Sequence, residues 1–327
     1  MIVASCAAFE RDHPTALEKI VASMNAPVTV HRSIDEVFPD GEICVALPQG
    51  TLVEDVLLLQ SLSTDPVALN DAVFALLASI RMYRVAGVAR ITVFAPHLAY
   101  SREERAAAIG GRVSTTQLLA DLIGAAGADC VIAAQSGSVA LVSEAYKPLA
   151  IEQLYATNFF VWCIESMQIA DPVLVAPDHG AADLVRNIAA RLGLQHARAD
   201  KQRKGATDVA LSLTEQAGAL KGREVIIIDD LVCSAGTLDQ AVSAVRTLGA
   251  SRVTAVAAHL RLTPLGMSRI RAMVAAGHLA GLVAWDTCGA PRVRGVQTFA
   301  FADWLGPELC AVLRRRSRID ANEEAVS

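Results

Sequence analysis

The chain has 327 residues, of which 53% are hydrophobic and 19% are charged, and its net charge is −5. That length and apolar content suit two globular domains better than one. A chain without a broad basic field is not expected to bind nucleic acid, because binding to phosphate backbones requires clustered cations.

Short apolar runs alternate with longer stretches of helical period. In the first half the pattern predicts strands at 56–59, 91–94 and 130–133 and helices at 70–86 and 115–126. In the second half it predicts strands at 173–176, 225–228, 253–257 and near residue 282, and helices at 181–192 and 237–248. This alternation is typical of βαβ units. The predicted fold class is therefore α/β, with a mainly parallel sheet flanked by helices in each half.

A sequence repeat supports two similar halves. Residues 87–98 (Gly-Val-Ala-Arg-Ile-Thr-Val-Phe-Ala-Pro-His-Leu) align with residues 249–260 (Gly-Ala-Ser-Arg-Val-Thr-Ala-Val-Ala-Ala-His-Leu). Glycine and arginine before an apolar strand are common at helix-to-strand connections, but the shared threonine and His-Leu favour duplication. We expect one domain over 1–150, a second over 151–316, and a charged tail over 317–327.

The sequence carries neither a membrane signal nor a metal-binding cysteine pattern. Its longest apolar runs fall short of the roughly 20 residues that a spanning helix requires. The N-terminus lacks a basic segment before a long apolar stretch, so neither a signal peptide nor a membrane partner is expected. Seven cysteines are scattered singly, without a C-x-x-C pair. The expected location is the cytoplasm.

The segment 225–238 carries the strongest functional signal. An apolar strand ends in Asp229 and Asp230, and a turn of small residues leads into a helix. In open parallel sheets, ligands gather beyond the carboxyl ends of the strands. Small residues let backbone amides approach a phosphate, and the helix N-terminus adds its dipole. Paired carboxylates can accept hydrogen bonds from sugar hydroxyls or hold Mg²⁺ through water. A helix cap is the alternative, but capping needs one aspartate and not two.

This segment resembles the phosphoribosyl pyrophosphate loop of type I phosphoribosyltransferases and ribose-phosphate pyrophosphokinases. That loop has two acidic residues, two apolar residues, and then D/S-T-G/A-G-T. The resemblance implies a pair of type I phosphoribosyltransferase-like domains. The residues that it assigns to ribose 5-phosphate are Asp229, Asp230, Cys233, Ser234, Ala235, Gly236 and Thr237.

Two segments of the first half resemble the pyrophosphokinases in particular. Residues 38–42 (Phe-Pro-Asp-Gly-Glu) are similar to the family's F-x-D-G-E loop, which reaches the adenine of ATP across a subunit boundary. Residues 96–105 are similar to P-Y-x-x-Y-A-R-Q-D-R, whose arginine meets ATP phosphates. The ATP-binding residues implied are Phe38, Asp40, Glu42, Arg102, Glu103 and Arg105. An ordinary Asp-Gly turn and a solvated charged turn are the structural alternatives.

Two segments of the second half complete the resemblance. Asp178 falls in a P-D-x-G motif, whose aspartate lies beside the sugar phosphate and the metal, and it is also placed to cap a helix. Residues 199–205 match the family's flexible D-K-x-R catalytic loop. The resemblance therefore implies that Lys201 and Arg203 are catalytic and that Asp178 is a ligand of Mg²⁺.

The implied activity is transfer of the diphosphoryl group of Mg-ATP to the 1-hydroxyl of ribose 5-phosphate, by a homo-oligomer built from dimers and, in this family, hexamers. Three departures stand against this. The stretch 134–138 lacks the histidine with which bacterial members contact Mg²⁺, Cys233 replaces a third aspartate, and Glu103 replaces the usual glutamine. A phosphoribosyltransferase that uses phosphoribosyl pyrophosphate and a catalytically silent regulatory homologue therefore stay open as alternatives.

Overall fold

The computed structural model describes residues 1–46, 55–63, 66–101, 114–137, 139–203, 209–213 and 220–324. The strands are β1 (Ile2–Ser5), β2 (Thr29–Arg32), β3 (Ile34–Val37), β4 (Ile43–Ala46), β5 (Val56–Leu59), β6 (Ile91–Ala95), β7 (Cys130–Ala134), β8 (Ala150–Leu154), β9 (Val173–Ala176), β10 (His196–Arg203), β11 (Val209–Leu213), β12 (Glu224–Val232), β13 (Arg252–Leu260), β14 (Gly281–Trp285) and β15 (Val296–Phe299). The helices are α1 (Ala7–Asp12), α2 (Ala16–Ser23), α3 (Pro66–Val85), α4 (Thr115–Ala126), α5 (Val139–Ala145), α6 (Thr157–Ser166), α7 (Ala182–Leu192), α8 (Gly236–Thr247), α9 (Pro264–Ala275) and α10 (Phe301–Glu324). None of the helices in the described ranges is long and apolar enough to cross a membrane.

The chain divides into two compact units. The first contains residues 1–154, 287–289 and the chain from 300 onward, and the second contains residues 155–286 and 290–299. The first unit holds a parallel sheet of order β2-β1-β5-β6-β7-β8 and a separate antiparallel hairpin of β3 and β4. The central strands β5, β6 and β7 are almost entirely buried, as expected for a sheet that helices cover on both faces.

The second unit repeats this arrangement. Its sheet has the order β11-β10-β9-β12-β13-β14-β15, and all of its neighbouring strands are parallel except β10 and β11. Without β11, each strand has a counterpart at the same place in the first sheet. The repeated segments found in the sequence lead into and form β6 and β13, which are counterparts. The predicted α/β fold with two similar halves is therefore confirmed.

The strand that carries the paired aspartates is longer than predicted. The ladder between β12 and β13 continues beyond Ile228, with Asp229 opposite Ala257 and Val232 opposite Leu260. The two carboxylates consequently belong to the strand itself. Their positions are fixed by the sheet and not by a loop.

Helix α10 belongs to the first unit, which differs from the expected division at 150 and 316. It contacts α2 and β8. Its buried Phe301 lies against the rings of Phe9 and Phe94, with centroids 6.4 and 6.2 Å away. Arg315 forms an ion pair with Glu152 at 3.2 Å, and the helix continues to residue 324, where a tail was expected. The apolar face of an amphipathic helix must be covered, but its sequence does not specify which half covers it.

Candidate functional site

Three aspartates lie at the carboxyl edge of the second sheet. Asp229 and Asp230 are in the last part of β12, and Asp178 follows the neighbouring strand β9. These strands are paired in parallel up to Ile227 and Val175, so their carboxyl ends lie side by side. Asp178 is close enough to Asp229 for its charge to act on that carboxyl.

Asp229 is held in surroundings that disfavour its charge. Burial raises the pKa of its carboxyl well above the ordinary value of 3.8, and the negative charges of Asp230 and Asp178 raise it further. The amide of Asp230 donates to Asp229 Oδ1 at 3.0 Å, which opposes the rise only in part. A ligand that donates hydrogen bonds or carries positive charge would relieve this cluster.

Asp178 also caps the turn that leads into α7. Its Oδ1 accepts hydrogen bonds from the amides of Gly180 at 2.8 Å and Ala181 at 3.4 Å. These bonds close the turn but do not cap the helix, because the N-cap residue of α7 is Ala181 and it has no side-chain cap. The expectation that Asp178 caps a helix is therefore wrong, whereas its proximity to Asp229 is compatible with a role in ligand binding.

The turn after β12 has free backbone donors. Ala235 adopts a left-handed conformation with φ of 55°, and α8 begins at Gly236 without a side-chain cap. Within the part of the chain that the structure describes, the amides of Ser234 and Ala235 have no hydrogen-bond acceptor. Free amides at a helix N-terminus favour an anion. This is the position predicted for the 5-phosphate.

Lys201 and Arg203 lie in a strand and not in the loop that the motif predicted. Strand β10 pairs with β9 through His196–Arg198 and then continues, antiparallel to β11, with Lys201 opposite Leu211 and Arg203 opposite Val209. The described part of the segment is therefore a two-stranded extension. It begins at the strand beside Asp178.

The predicted ATP-binding residues are described only in part. Phe38, Asp40 and Glu42 lie at the tip of the β3–β4 hairpin. The Phe38 amide donates to the Glu42 carbonyl at 2.8 Å, and the Glu42 amide donates to Asp40 Oδ1 at 3.1 Å. Arg102, Glu103 and Arg105 are outside the described residues, so their role stays a prediction.

In the segment that lacks the family histidine, two backbone amides are bonded to residues of β8. The amide of Gln135 donates to the Leu154 carbonyl at 2.8 Å, and the amide of Ser136 donates to Gln153 Oε1 at 3.0 Å. Across the described ranges, no three His, Cys, Asp or Glu side chains are grouped as a protein-only metal site requires.

Sequence reasoning missed a cation beside the turn after β9. Arg198 of β10 lies with Nη1 3.1 Å from Nδ1 of His179, in the turn after β9. His179 occupies the variable position of the P-D-x-G motif. The sequence showed His179 at that position, but only the pairing of β9 with β10 brings Arg198 close to it.

Comparisons with known proteins agree with the geometry of both halves. Residues 8–127 match the family model for the N-terminal domain of ribose phosphate pyrophosphokinase, and residues 142–276 match that for the phosphoribosyl transferase domain. A ribose-phosphate pyrophosphokinase of Chlorobaculum tepidum is 30% identical over 81% of this chain and 79% of that protein. One from Gloeobacter violaceus is 32% identical over 71% and 68%.

A solved structure shows the same fold. Phosphoribosylpyrophosphate synthetase from Mycobacterium smegmatis superposes with a TM-score of 0.81 over 96% of this chain and 99% of that one, at 23% identity. Together with the two relatives, which match over most of their own length, these comparisons establish that the chain belongs to the ribose-phosphate pyrophosphokinase family.

Proposed function

We propose that this chain transfers the diphosphoryl group of Mg-ATP to the 1-hydroxyl of ribose 5-phosphate, forming phosphoribosyl pyrophosphate and releasing AMP. The observation that carries the proposal is the pairing of Asp229 and Asp230 with the uncapped N-terminus of α8. The two aspartates supply acceptors for sugar hydroxyls, and the helix N-terminus supplies donors for a phosphate. The aspartates and the helix N-terminus are a short distance apart in the sequence.

Each part of the sugar phosphate has a counterpart in this site. Asp229 and Asp230 hold the ribose hydroxyls. By donating hydrogen bonds to Asp229, these hydroxyls relieve the unfavourable environment of its carboxyl. The turn from Cys233 to Thr237 holds the 5-phosphate through backbone amides and hydroxyls. The sugar is thereby oriented with its 1-hydroxyl toward the nucleotide.

Mg²⁺ fits this site as a companion of ATP. Carboxylate oxygens of Asp178 and of the Asp229–Asp230 pair are hard ligands, and Mg²⁺ is commonly bound through one or two carboxylates plus substrate phosphates. When bound, the ion neutralises charge on the polyphosphate. Asp178 is the residue proposed to contact it, while its Oδ1 keeps the bonds of the turn.

Lys201 and Arg203 provide positive charge to the diphosphoryl group during transfer. Phosphoryl transfer is catalysed mainly by positioning and by electrostatic stabilisation, and two cations separated by one residue suit this task. Support comes from the backbone, since β10 leads directly from the strand beside Asp178. The residues proposed to bind the nucleotide are Phe38, Asp40, Glu42, Arg102, Glu103 and Arg105.

Self-association in dimers, which assemble into hexamers, is part of the proposal. The side chains of Val37 and Phe38 are 65% and 41% exposed at the hairpin tip. Apolar side chains at such a tip favour contact with another chain. Light scattering of the purified protein, with and without ATP, measures the assembly directly.

The activity is tested by incubating the protein with ATP and ribose 5-phosphate and measuring AMP release. Product is expected only when both substrates and Mg²⁺ are present. Nucleotide binding without product in a single turnover would instead identify a silent homologue. Release of pyrophosphate from phosphoribosyl pyrophosphate with a base or amine, and no AMP from ATP, would identify a phosphoribosyltransferase.

Variants of β10 test the assigned roles. Lys201→Ala and Arg203→Ala are each expected to lower kcat by about 10²- to 10³-fold, with the KM for ribose 5-phosphate nearly unchanged. Gln202→Ala is the matched control, since this residue lies between them and is not used by the motif. Equal losses in all three variants would mean that the strand, and not its cations, matters.

A further inference from the structure

The turn after Asp230 is tied by its backbone to the segment that joins β13 to α9. The amide of Arg261 donates to the Val232 carbonyl at 3.0 Å, and the amide of Thr263 donates to the Cys233 carbonyl at 3.3 Å. Two successive carbonyls, one from the last residue of β12 and one from the first residue of the turn, are therefore bound by the same segment. The donors lie after β13 and not in the turn itself.

A side chain continues this series. Arg269, which is half-buried on α9, donates from Nη1 to the Ser234 carbonyl at 2.9 Å. The same nitrogen lies 3.2 Å from the point that a Cβ on Gly236 would occupy. The guanidinium group is consequently placed at the first turn of α8, and a side chain at Gly236 would crowd it.

The first turn of helix α9 packs directly against the turn after β12. A Cβ on Gly266 would lie 2.1 Å from the Cys233 carbonyl oxygen, which no side chain could accommodate without displacing backbone. Gly266 is fixed in turn by its amide, which donates to the Thr263 hydroxyl at 3.1 Å. The base of α9 is thus a rigid support for the turn.

The direction of the carbonyls decides the direction of the amides. In a trans peptide, the carbonyl and the following N–H point to opposite sides. Because the carbonyls of Cys233 and Ser234 face α9, the amides of Ser234 and Ala235 face away from it. These are the amides that lack an acceptor within the described part of the chain.

We propose that Arg269 is a positioning residue for the 5-phosphate of ribose 5-phosphate, which rests on the function proposed above. Its guanidinium group holds the Ser234 carbonyl, so that the amides of the turn are preorganised toward the phosphate. The cation also adds positive potential near the N-terminus of α8. Arg269 acts through the turn and takes no part in the transfer step.

The test compares Arg269→Gln and Arg269→Lys with Arg271→Gln. Arg271 is exposed on the same helix two residues away and serves as the matched control. Loss of a charge-assisted hydrogen bond is expected to raise the KM for ribose 5-phosphate about tenfold in Arg269→Gln. The KM for ATP and kcat should stay within about twofold, Arg269→Lys should recover part of the loss, and Arg271→Gln should equal the wild type.

Titration calorimetry with ribose 5-phosphate, ribose and inorganic phosphate separates this proposal from the proposed activity. If the wild type releases no AMP yet binds ribose 5-phosphate, and Arg269→Gln binds it about tenfold more weakly, the activity fails and the positioning role stands. Wild-type affinity in Arg269→Gln would overturn the role.

Equal rises in the KM of both substrates, with a lowered Tm in both Arg269 variants, would show a general structural role and also overturn the proposal. The same holds if the wild type binds neither ribose 5-phosphate nor phosphate, since the turn would then have nothing to hold. Arg269→Lys keeps the test decisive if Arg269→Gln does not fold.

Discussion

At the level of single residues, Asp229 combines a proposed role in ligand binding with an unfavourable environment. Burial and the charges of Asp230 and Asp178 all favour its protonated form. Such a carboxyl favours the binding of a hydrogen-bond donor. Without a ligand, its environment lowers the stability of the folded protein. Natural sites often carry strain of this kind because substrate contacts relieve it.

Asp229→Asn tests this cost through pH. An acid whose pKa is higher in the folded state than the unfolded value, near 3.8, contributes stability below that pH and loses it as the pH rises. Without Mg²⁺ and nucleotide, Asp229→Asn should therefore raise the Tm at pH 8, and its advantage should disappear toward pH 4. Thermal unfolding measures this, with the exposed Asp121→Asn as control. A Tm advantage that does not change with pH would contradict the account.

His13 is a second buried titratable residue, and it belongs to the first unit. Its ring lies between Phe9 and Phe301, with centroids 5.2 and 5.0 Å away, and both of its nitrogens lack a partner among the described residues. Burial lowers its pKa from 6.5 to about 4, although Asp12 opposes the shift. The neutral ring therefore packs as an aromatic side chain between α1 and α10.

Lowering the pH should destabilise the protein through His13. The unfolded chain takes up a proton below pH 6.5, whereas the folded ring resists it until about pH 4, which corresponds to about 3 kcal/mol over that interval. His13→Leu should remove that part of the pH dependence in chemical denaturation measured between pH 7 and 4. The exposed His278→Gln should leave it unchanged. Parallel pH profiles for wild type and His13→Leu would refute the assignment.

At the level of elements, the ends of β5 and β12 show how one architecture serves two purposes. They are counterparts in the two sheets, but β5 is followed by Gln60 and Ser61, which are buried. Gln60 Nε2 donates to the Ala72 carbonyl at 2.8 Å, and the Ser61 hydroxyl donates to Asp12 at 2.6 Å. At this position the polar side chains of the first sheet are bonded within the protein. The second sheet instead has the carboxylates that we propose bind a ligand.

Apolar periodicity predicted the central elements well. The bounds of β5, α4 and β9 agree with those expected, because buried parallel strands and amphipathic helices are dictated by local pattern. The β10–β11 extension was missed, since residues 200–203 are polar and their pairing depends on residues 209–213, which lie further along the chain. Pattern alone does not reveal such a partner.

The residues of the candidate site could be proposed from the sequence only where they belong to a local motif. Asp229 and Asp230 were identified because adjacent carboxylates at the end of an apolar strand have few structural uses. Arg269 was not, because it contacts the turn from 35 positions away and belongs to no local motif. Contacts made between elements require the sheet order before they can be seen.

Phe301 is expected to be essential to the packing of α10. It is buried against Phe9 and Phe94, and replacing such a ring by alanine costs about 3–5 kcal/mol. Phe301→Ala should lower the free energy of unfolding by that amount in urea denaturation. Phe74→Ala is the control, since that ring is 58% exposed on α3, and a similar loss there would remove the argument from burial.

At the level of the whole molecule, the first unit is discontinuous in sequence. It takes residues 1–154 from one end of the chain and α10 from the other. Phe301, Leu305 and Leu309 of that helix are buried, so residues 1–154 alone leave an apolar surface open. We therefore expect residues 1–154 to require α10 for a complete hydrophobic core.

A pair of fragments checks this dependence. Residues 1–154 alone should fail to unfold cooperatively, whereas 1–154 joined by a Gly/Ser linker to 300–327 should show a cooperative thermal transition and a helical circular dichroism spectrum. Leu305→Asp in the linked fragment should abolish the transition. Cooperative folding of 1–154 alone would show that α10 is dispensable.

The late return of α10 reverses the usual order of events on the ribosome. Domains commonly fold from the N-terminus as they emerge. Residues 1–154 are translated before α10, so the apolar surface that this helix covers stays open until the helix has been synthesised. The nascent first half is the part that most needs protection by chaperones during that interval.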